Sequence, residues 1–228
     1  MKLPPNPQYS LSVTVSPCRT FETAGKLKTD MPEERVAVLN FASATSPGGG
    51  VKNGARAQEE SLCRCSTLYP CLSTDKLWKG YYGFHRENWN ICYSDSVIYT
   101  PDVLVIKSDI NIPERLPQEK WFKTDVITCA APNLRRSPNA LSSSEQFQVH
   151  CERARRILSS AAIGGATVLV LGAFGCGAFS NIPEAVAEAY KTVLHEFEGY
   201  FKKVEFAVFC SSTEERNYSA FKSAFSAD

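Results

Sequence analysis

Polar and apolar residues follow two rhythms along this chain. Four short runs are apolar almost throughout: Arg35–Phe41 (RVAVLNF), Asp125–Cys129 (DVITC), Ala166–Gly172 (ATVLVLG) and Val204–Cys210 (VEFAVFC). Runs of this length, rich in β-branched and aromatic residues, read as strands buried on both faces. Ser96–Tyr99 and Val103–Lys107 read as two shorter strands with Pro101 between them, and Tyr9–Val15 as another. The second rhythm is helical. It predicts helices over Ala55–Leu68, over Glu145–Ala162 behind a Ser142–Ser144 cap, from Pro183 to Phe201 with proline at the first turn, and over Glu214–Ala224. Asp75–Asn90 is aromatic and polar together and reads as irregular. Continuous buried strands alternating with amphipathic helices imply an α/β sandwich around a mixed, mostly parallel sheet. With no repeat and no linker, the expected organisation is one domain over residues 35–228, preceded by a short lead-in (1–34) that packs on it.

Composition narrows the class. At 228 residues, 43% hydrophobic and 21% charged, the chain can bury a core and is neither disordered nor fibrous. A net charge of +1 leaves no basic footprint, so sequence-specific nucleic-acid binding is not expected. Any polyanion must be gripped by local donors. No apolar run approaches the roughly 20 residues of a membrane span, and the opening MKLPPNPQYS lacks the apolar core of a secretory signal. The nine cysteines are odd in number and irregularly spaced, which suits reduced thiols. Cys63, Cys65 and Cys71 cluster, yet no second pair completes a zinc site, so no metal and no cofactor are expected. The expected setting is cytoplasmic, or nuclear in a eukaryotic or viral host, and not secreted, with the chain working as a monomer.

Two loops stand out. Ser46–Gly54 (SPGGGVKNG) and Gly172–Phe179 (GAFGCGAF) both follow a strand and precede a helix. Glycines there allow positive φ and close backbone approach, and exposed N–H groups suit a diphosphate. Glycines also make tight turns with no ligand, so each loop alone leaves both readings open. There is no GxxxxGK[ST], GAFGCGAF is not GxGxxG, and VEFAVFC ends without an acid to hold a ribose. A P-loop enzyme and a dinucleotide dehydrogenase are therefore disfavoured. Gln58-Glu59-Glu60 follows the first loop. Adjacent helical side chains point about 100° apart, so only one of the two carboxylates is expected in a pocket, and both as solvated first-turn acids is the alternative.

The stretch GGGVKNGARAQEESLCRCSTLYPCL, with LNFASATSPGGG, YSDSVIYTPDVLVIK, DVITCAAPN and VLVLGAFGCGAFSNIPEAVAEAY in that order, resembles the bacterial-type poly(ADP-ribose) glycohydrolases of the macrodomain superfamily over about Arg35–Phe209. The resemblance implies a three-layer α/β/α fold that binds ADP-ribose in its crevice. It implies that Gly48, Gly49 and Gly50 lie beside the distal ribose and diphosphate. Glu59 and Glu60 match the paired glutamates of the catalytic site, and Glu60 the catalytic one. Gln58 precedes them in the motif. Gly175, Cys176, Gly177 and Ala178 would form the second diphosphate loop, Phe179 would pack on the ligand, and Asn40 and Asn53 would line the ribose pocket. The implied substrate is poly(ADP-ribose) attached to proteins. The lead-in is shorter than is usual in the family, and Ala178 stands where bulkier residues are common. Three other readings remain: a non-catalytic ADP-ribose reader, a hydrolase of another ADP-ribosyl linkage (on protein, nucleic acid or a metabolite), and a cysteine enzyme using Cys176.

Overall fold

The computed structural model describes residues 2–210 and 215–226. Strands β1 (Ser12–Ser16), β2 (Val36–Phe41), β3 (Val97–Val105), β4 (Phe122–Cys129), β5 (Val168–Leu171) and β6 (Lys203–Ala207) form one sheet in the order β1-β6-β5-β2-β4-β3. Every neighbouring pair is parallel except β3 with β4. Helices α1 (Thr20–Asp30), α2 (Gln58–Cys65), α3 (Leu68–Leu72), α4 (Asp75–Leu77), α5 (Gly83–Glu87), α6 (Ser143–Ile163), α7 (Pro183–His195) and α8 (Arg216–Phe225) cover it.

The near-continuous apolar strands exist because both faces of the sheet are covered. Ala37, Leu39, Leu169, Leu171, Val204 and Phe206 face one core with Ile157, Leu158, Tyr190, Val193 and Phe221 of α6, α7 and α8. Val36, Val38, Val168 and Val170 face the other with Phe21, Ala24, Leu27, Leu62, Leu68 and Leu72 of α1, α2 and α3. Each fully buried aliphatic side chain contributes about 1.5–3 kcal/mol relative to exposure. Two cores on two faces make the fold a three-layer sandwich.

Several boundaries differ from the sequence reading, each for a local reason. The two short strands around Pro101 are one strand, β3, whose register shifts between Thr100 and Val103. Proline has no N–H to give the ladder, so it falls in the bulge, where Asp102 adopts φ 53°. Helix α1 was not expected at all. The apolar part of its buried face is only Phe21, Ala24 and Leu27, mixed with Thr20 and Thr23, and it is entered from Arg19 with no Ser, Thr, Asp or Asn cap. Helix α2 is shorter than Ala55–Leu68, because Ala57 is extended at its start and Ser66 at its end. The stretch read as irregular is α4, a π-turn at Trp78–Tyr82, and α5. Helix α7 stops at His195 instead of Phe201. The expected start of the last helix at Glu214 lies outside the described residues.

The five parallel strands end at the same edge of the sheet. From β2 the chain leaves toward β4 and β3, whereas from β5 it leaves toward β6. That reversal of direction opens a crevice between β2 and β5, the usual place for a ligand in open α/β sheets.

Candidate active site

A cavity of about 460 Å³ lies over this edge. Arg19 and Thr20 after β1, Ser43, Gly49 and Gln58–Ser61 after β2, Ala131 after β4, Ala173–Gly175 and Gly177–Phe179 after β5, and Phe209 after β6 all line it. A wider groove of about 990 Å³ runs between α1 and the start of β4. Both its buried carboxylates are already committed, Asp125 to Arg35, the Tyr99 hydroxyl and the Asp102 amide, and Asp109 to Phe21 N–H and the Ser61 hydroxyl. The smaller cavity is the candidate site, because it brings Glu59 and Glu60 together with residues of both glycine loops.

The loop after β2 is folded onto the two glutamates. Gly50 N–H donates to Glu60 Oε1 at 2.8 Å, and Ser43 N–H donates to Glu59 Oε2 at 2.7 Å. Asn40, fully buried on β2, donates Nδ2 to Glu59 Oε1 at 3.3 Å and to Thr128 Oγ1 at 3.1 Å. Four more amides of the loop close turns: Gly49 to Ser46, Val51 to Gly48, Asn53 to Gly50, Gly54 to Val51. The donors named are committed to carboxylates and turns. Gly48 (φ 67°) and Gly49 (φ 56°) supply the left-handed backbone that the wrap requires. A Cβ on Gly49 would stand 2.5 Å from Glu60 Oε1 and 3.0 Å from Glu59 Oε2.

Glu59 and Glu60 both line the cavity and are only 3% and 7% exposed. The expectation that only one would enter is corrected. The angular separation of helical neighbours holds around a helix axis, but here the loop closes over the first turn of α2. Two long side chains from that end reach one space. Gln58 anchors the turn by donating Nε2 to Leu39 O (2.7 Å) and Thr20 Oγ1 (3.1 Å) and by accepting from Phe41 N–H (2.9 Å).

The loop after β5 differs in kind. Among the described residues, the amides of Gly177, Ala178 and Phe179 have no partner, and they lie in cavity-lining residues just ahead of α7. Unpaired N–H groups before a helix are a ready anion site. Asn181 braces the loop from inside, donating Nδ2 to Pro132 O (2.8 Å) and Gly175 O (3.0 Å). Its Oδ1 must then accept from His150 Nε2 (2.9 Å), which leaves His150 Nδ1 bare in the core. Burial accordingly pushes His150 down to about 4. Gly175 (φ 78°) has no room for a side chain, since a Cβ would meet Ala131 Cβ at 2.5 Å and Asn181 Nδ2 at 2.7 Å. The far end of the cavity carries an aromatic platform, Phe209, with the Arg19 guanidinium 4.0 Å from its ring centre.

Five site residues expected from the sequence do not line the cavity: Asn40, Gly48 and Gly50, which lie behind or beside the glutamates, and Asn53 and Cys176. Asn53 is exposed on the outer turn of the first loop. Cys176 points into the core with its Sγ 3.7 Å from Phe174 O, and burial pushes its thiol far up, so the nucleophile reading is corrected. Sequence reasoning also missed Asn181, His150, Arg19, Phe209 and Asp109. Asp109 accepts from Phe21 N–H (3.0 Å) and Ser61 Oγ (2.8 Å), joining α1 to α2. Only Asn181 and Phe209 carried a signal, as the residues that close GAFGCGAFSN and VEFAVF.

A profile of the microbial-type PARG (poly(ADP-ribose) glycohydrolase) catalytic domain matches residues 1–108. The poly(ADP-ribose) glycohydrolase of Thermomonospora curvata, solved with the inhibitor ADP-HPD, is similar at 36% identity and TM-score 0.86, over 95% of this chain and 80% of that one. The Deinococcus radiodurans enzyme, solved with ADP-ribose, is similar at 36% identity and TM-score 0.86, over 96% of this chain and 86% of that one. The chain belongs to this family of glycohydrolases. No curated protein sequence matches it.

Glu59 lies beside Glu60 in the cavity. Burial pushes its carboxyl up to about 8, against the opposing pull of the Ser43 and Asn40 hydrogen bonds. This shift favours the uncharged form of the Glu59 carboxyl inside the crevice. A carboxyl whose folded pKa is raised favours the folded state below its unfolded value, near 4.5, and this stability is lost as pH rises toward 8. Glu59→Gln removes that group. Its melting temperature should therefore fall less than that of the native chain between pH 5 and pH 8, and parallel curves from a thermal-melt series would contradict the assignment.

Proposed function

We propose that this chain is a poly(ADP-ribose) glycohydrolase that cleaves ribose–ribose bonds and releases ADP-ribose, with Glu60 as general acid and base. The observation that carries this reading is the seat of Glu60. Its Oε1 is fixed by Gly50 N–H, while its Oε2 is buried in the cavity wall without a partner. Glu60 lines the cavity, and a carboxyl there with one oxygen fixed and the other uncommitted to any hydrogen bond suits proton transfer to and from a bound sugar. The unpaired amides of Gly177, Ala178 and Phe179 suit the diphosphate, Phe179 flanks it, and the Arg19–Phe209 pair suits adenine.

Breaking a glycosidic bond passes through an oxocarbenium-like state and needs a proton on the leaving oxygen. Glu60 gives its proton to that oxygen as the C1″–O bond breaks. The carboxylate then takes a proton from the water that adds to C1″, which restores the acid form. Glu59 is held back from nucleophilic attack because both its oxygens accept hydrogen bonds, from Asn40 Nδ2 and Ser43 N–H. The substrate's own diphosphate, held in the β5 loop, stabilises the cationic sugar.

Labelled poly(ADP-ribose) incubated with the protein should yield ADP-ribose. Binding of ADP-ribose with intact polymer would indicate a reader, and release from mono-ADP-ribosylated protein or nucleic acid alone a hydrolase of another linkage. The nine cysteines are unpaired, as suits a reducing compartment. The proposed setting is the cytoplasm, with the chain acting as a monomer on polymer attached to proteins. No helix among the described residues is long and apolar enough to cross a membrane.

A further inference from the structure

The segment from the π-turn to Tyr93 takes no part in the cavity, yet it borders it. Arg86 donates Nε to Thr45 O (2.7 Å) and Nη2 to Ser46 Oγ (3.4 Å), at the root of the loop that seats Glu60. The guanidinium is also layered on the Trp78 ring, 4.5 Å from its centre. On the other side, Asn133 after β4 donates its backbone N–H to Ile91 O (2.8 Å) and its Nδ2 to the Tyr93 hydroxyl (3.4 Å). The next residue, Leu134, donates to Phe179 O in the β5 loop (2.9 Å). The segment is therefore a rim that touches the loops after β2 and β4, on the flank of the crevice away from Arg19 and Phe209.

This rim exposes aromatic surface. Trp78 is 42% exposed, Phe84 47% and Trp89 70%. His85 beneath is buried and committed to Tyr81 O and Ser94 Oγ, so the rings stand on a braced floor. Lys52, Lys76, Lys79 and Arg86 outnumber Asp75 and Glu87 in and beside it. Exposed aromatic rings among cations have the make-up of a platform for nucleobases and their phosphates.

We infer that this rim is the subsite for the leaving side of the polymer, with Trp89 and Phe84 stacking the adenine next to the scissile bond. The inference rests on the glycohydrolase reading and adds a polymer-specific surface to it. The released ADP-ribose unit lies with its adenine toward Phe209 and its distal ribose at Glu60. In poly(ADP-ribose) the leaving oxygen is the 2′-oxygen of the next unit's adenosine. A second adenine must therefore emerge beside Glu60 and the β2 loop, on the flank where the rim stands. Its diphosphate follows and meets Arg86 and Lys79.

The test uses Glu60→Gln chain, which binds without cutting, and calorimetry with two ligands: ADP-ribose and the two-unit fragment joined 1″→2′. The fragment should bind about 10-fold tighter than ADP-ribose, the weight of one base–aromatic stack. Adding Trp89→Ala, alone and with Phe84→Ala, should remove that advantage and leave the Kd of ADP-ribose as it was. A fragment that binds no tighter than ADP-ribose, an advantage that survives both changes, or an equal loss for both ligands would each overturn the rim. Native chain assayed alongside on polymer separates the two ideas. Release of ADP-ribose with no fragment advantage removes the rim alone, whereas intact polymer removes the glycohydrolase reading and the rim with it.

Discussion

Glu60→Gln should lose hydrolysis of poly(ADP-ribose) by about 10²- to 10⁴-fold, the usual weight of a general acid, while ADP-ribose binds within a few-fold of the native affinity. The substitution is nearly isosteric, and the amide oxygen can still accept from Gly50 N–H, so the β2 loop keeps its shape. What disappears is the proton for the leaving oxygen and the base for water. The partnerless, buried Oε2 of Glu60 makes this separation clean, because no structural hydrogen bond depends on that atom. Single-turnover rates and calorimetry on the same preparation check it. Retained turnover would mean that another group moves the proton, and Glu59 is the first to suspect because it lines the same cavity.

Gly49→Ala should be nearly as damaging, by a different route. At φ 56° a side chain costs about 1–2 kcal/mol of backbone strain. The new Cβ, 2.5 Å from Glu60 Oε1, also forces the carboxylate aside. A displacement near 1 Å at the reacting group can cost about 100-fold in rate. Gly54→Ala separates strain from collision. Gly54 also has a positive φ, 77°, but a Cβ there meets nothing within 4 Å. Both variants should lower the melting temperature by a few degrees, at about 2–4 °C per kcal/mol for a domain of this size. Only Gly49→Ala should lose most of its turnover. Equal turnover in the two would show that the close fit between the loop and the glutamates has no catalytic weight.

Much of the fold is legible in the sequence because the strands are buried on both faces. RVAVLNF and ATVLVLG have no solvent side to hide the pattern, and the structure places both at the centre of the sheet. Helix α1 was hidden because only Phe21, Ala24 and Leu27 of its buried face are apolar, the others being Thr20 and Thr23. The α3–α5 stretch was hidden because pieces of three to five residues are too short for a periodic signal.

The site was legible as loops and motifs, and less so as geometry. Residues of both glycine runs and the glutamate pair line one cavity. The sequence did not reveal that the two glycine loops do different work. That depends on where each N–H points, which is decided by contacts such as Gly50 to Glu60 and Asn181 to Gly175 between residues distant in the chain. Helical geometry gave the wrong expectation for Glu59 because the cavity caps the end of α2 instead of lying along its side.

A crystal structure of the Glu60→Gln chain with ADP-ribose tests the central claim most directly. Diphosphate oxygens within hydrogen-bond distance of the Gly177, Ala178 and Phe179 amides, and the distal ribose C1″ against residue 60, are the expected result. ADP-ribose seated in the wider groove by Asp125, or bound in the crevice with its distal ribose turned away from residue 60, would contradict it.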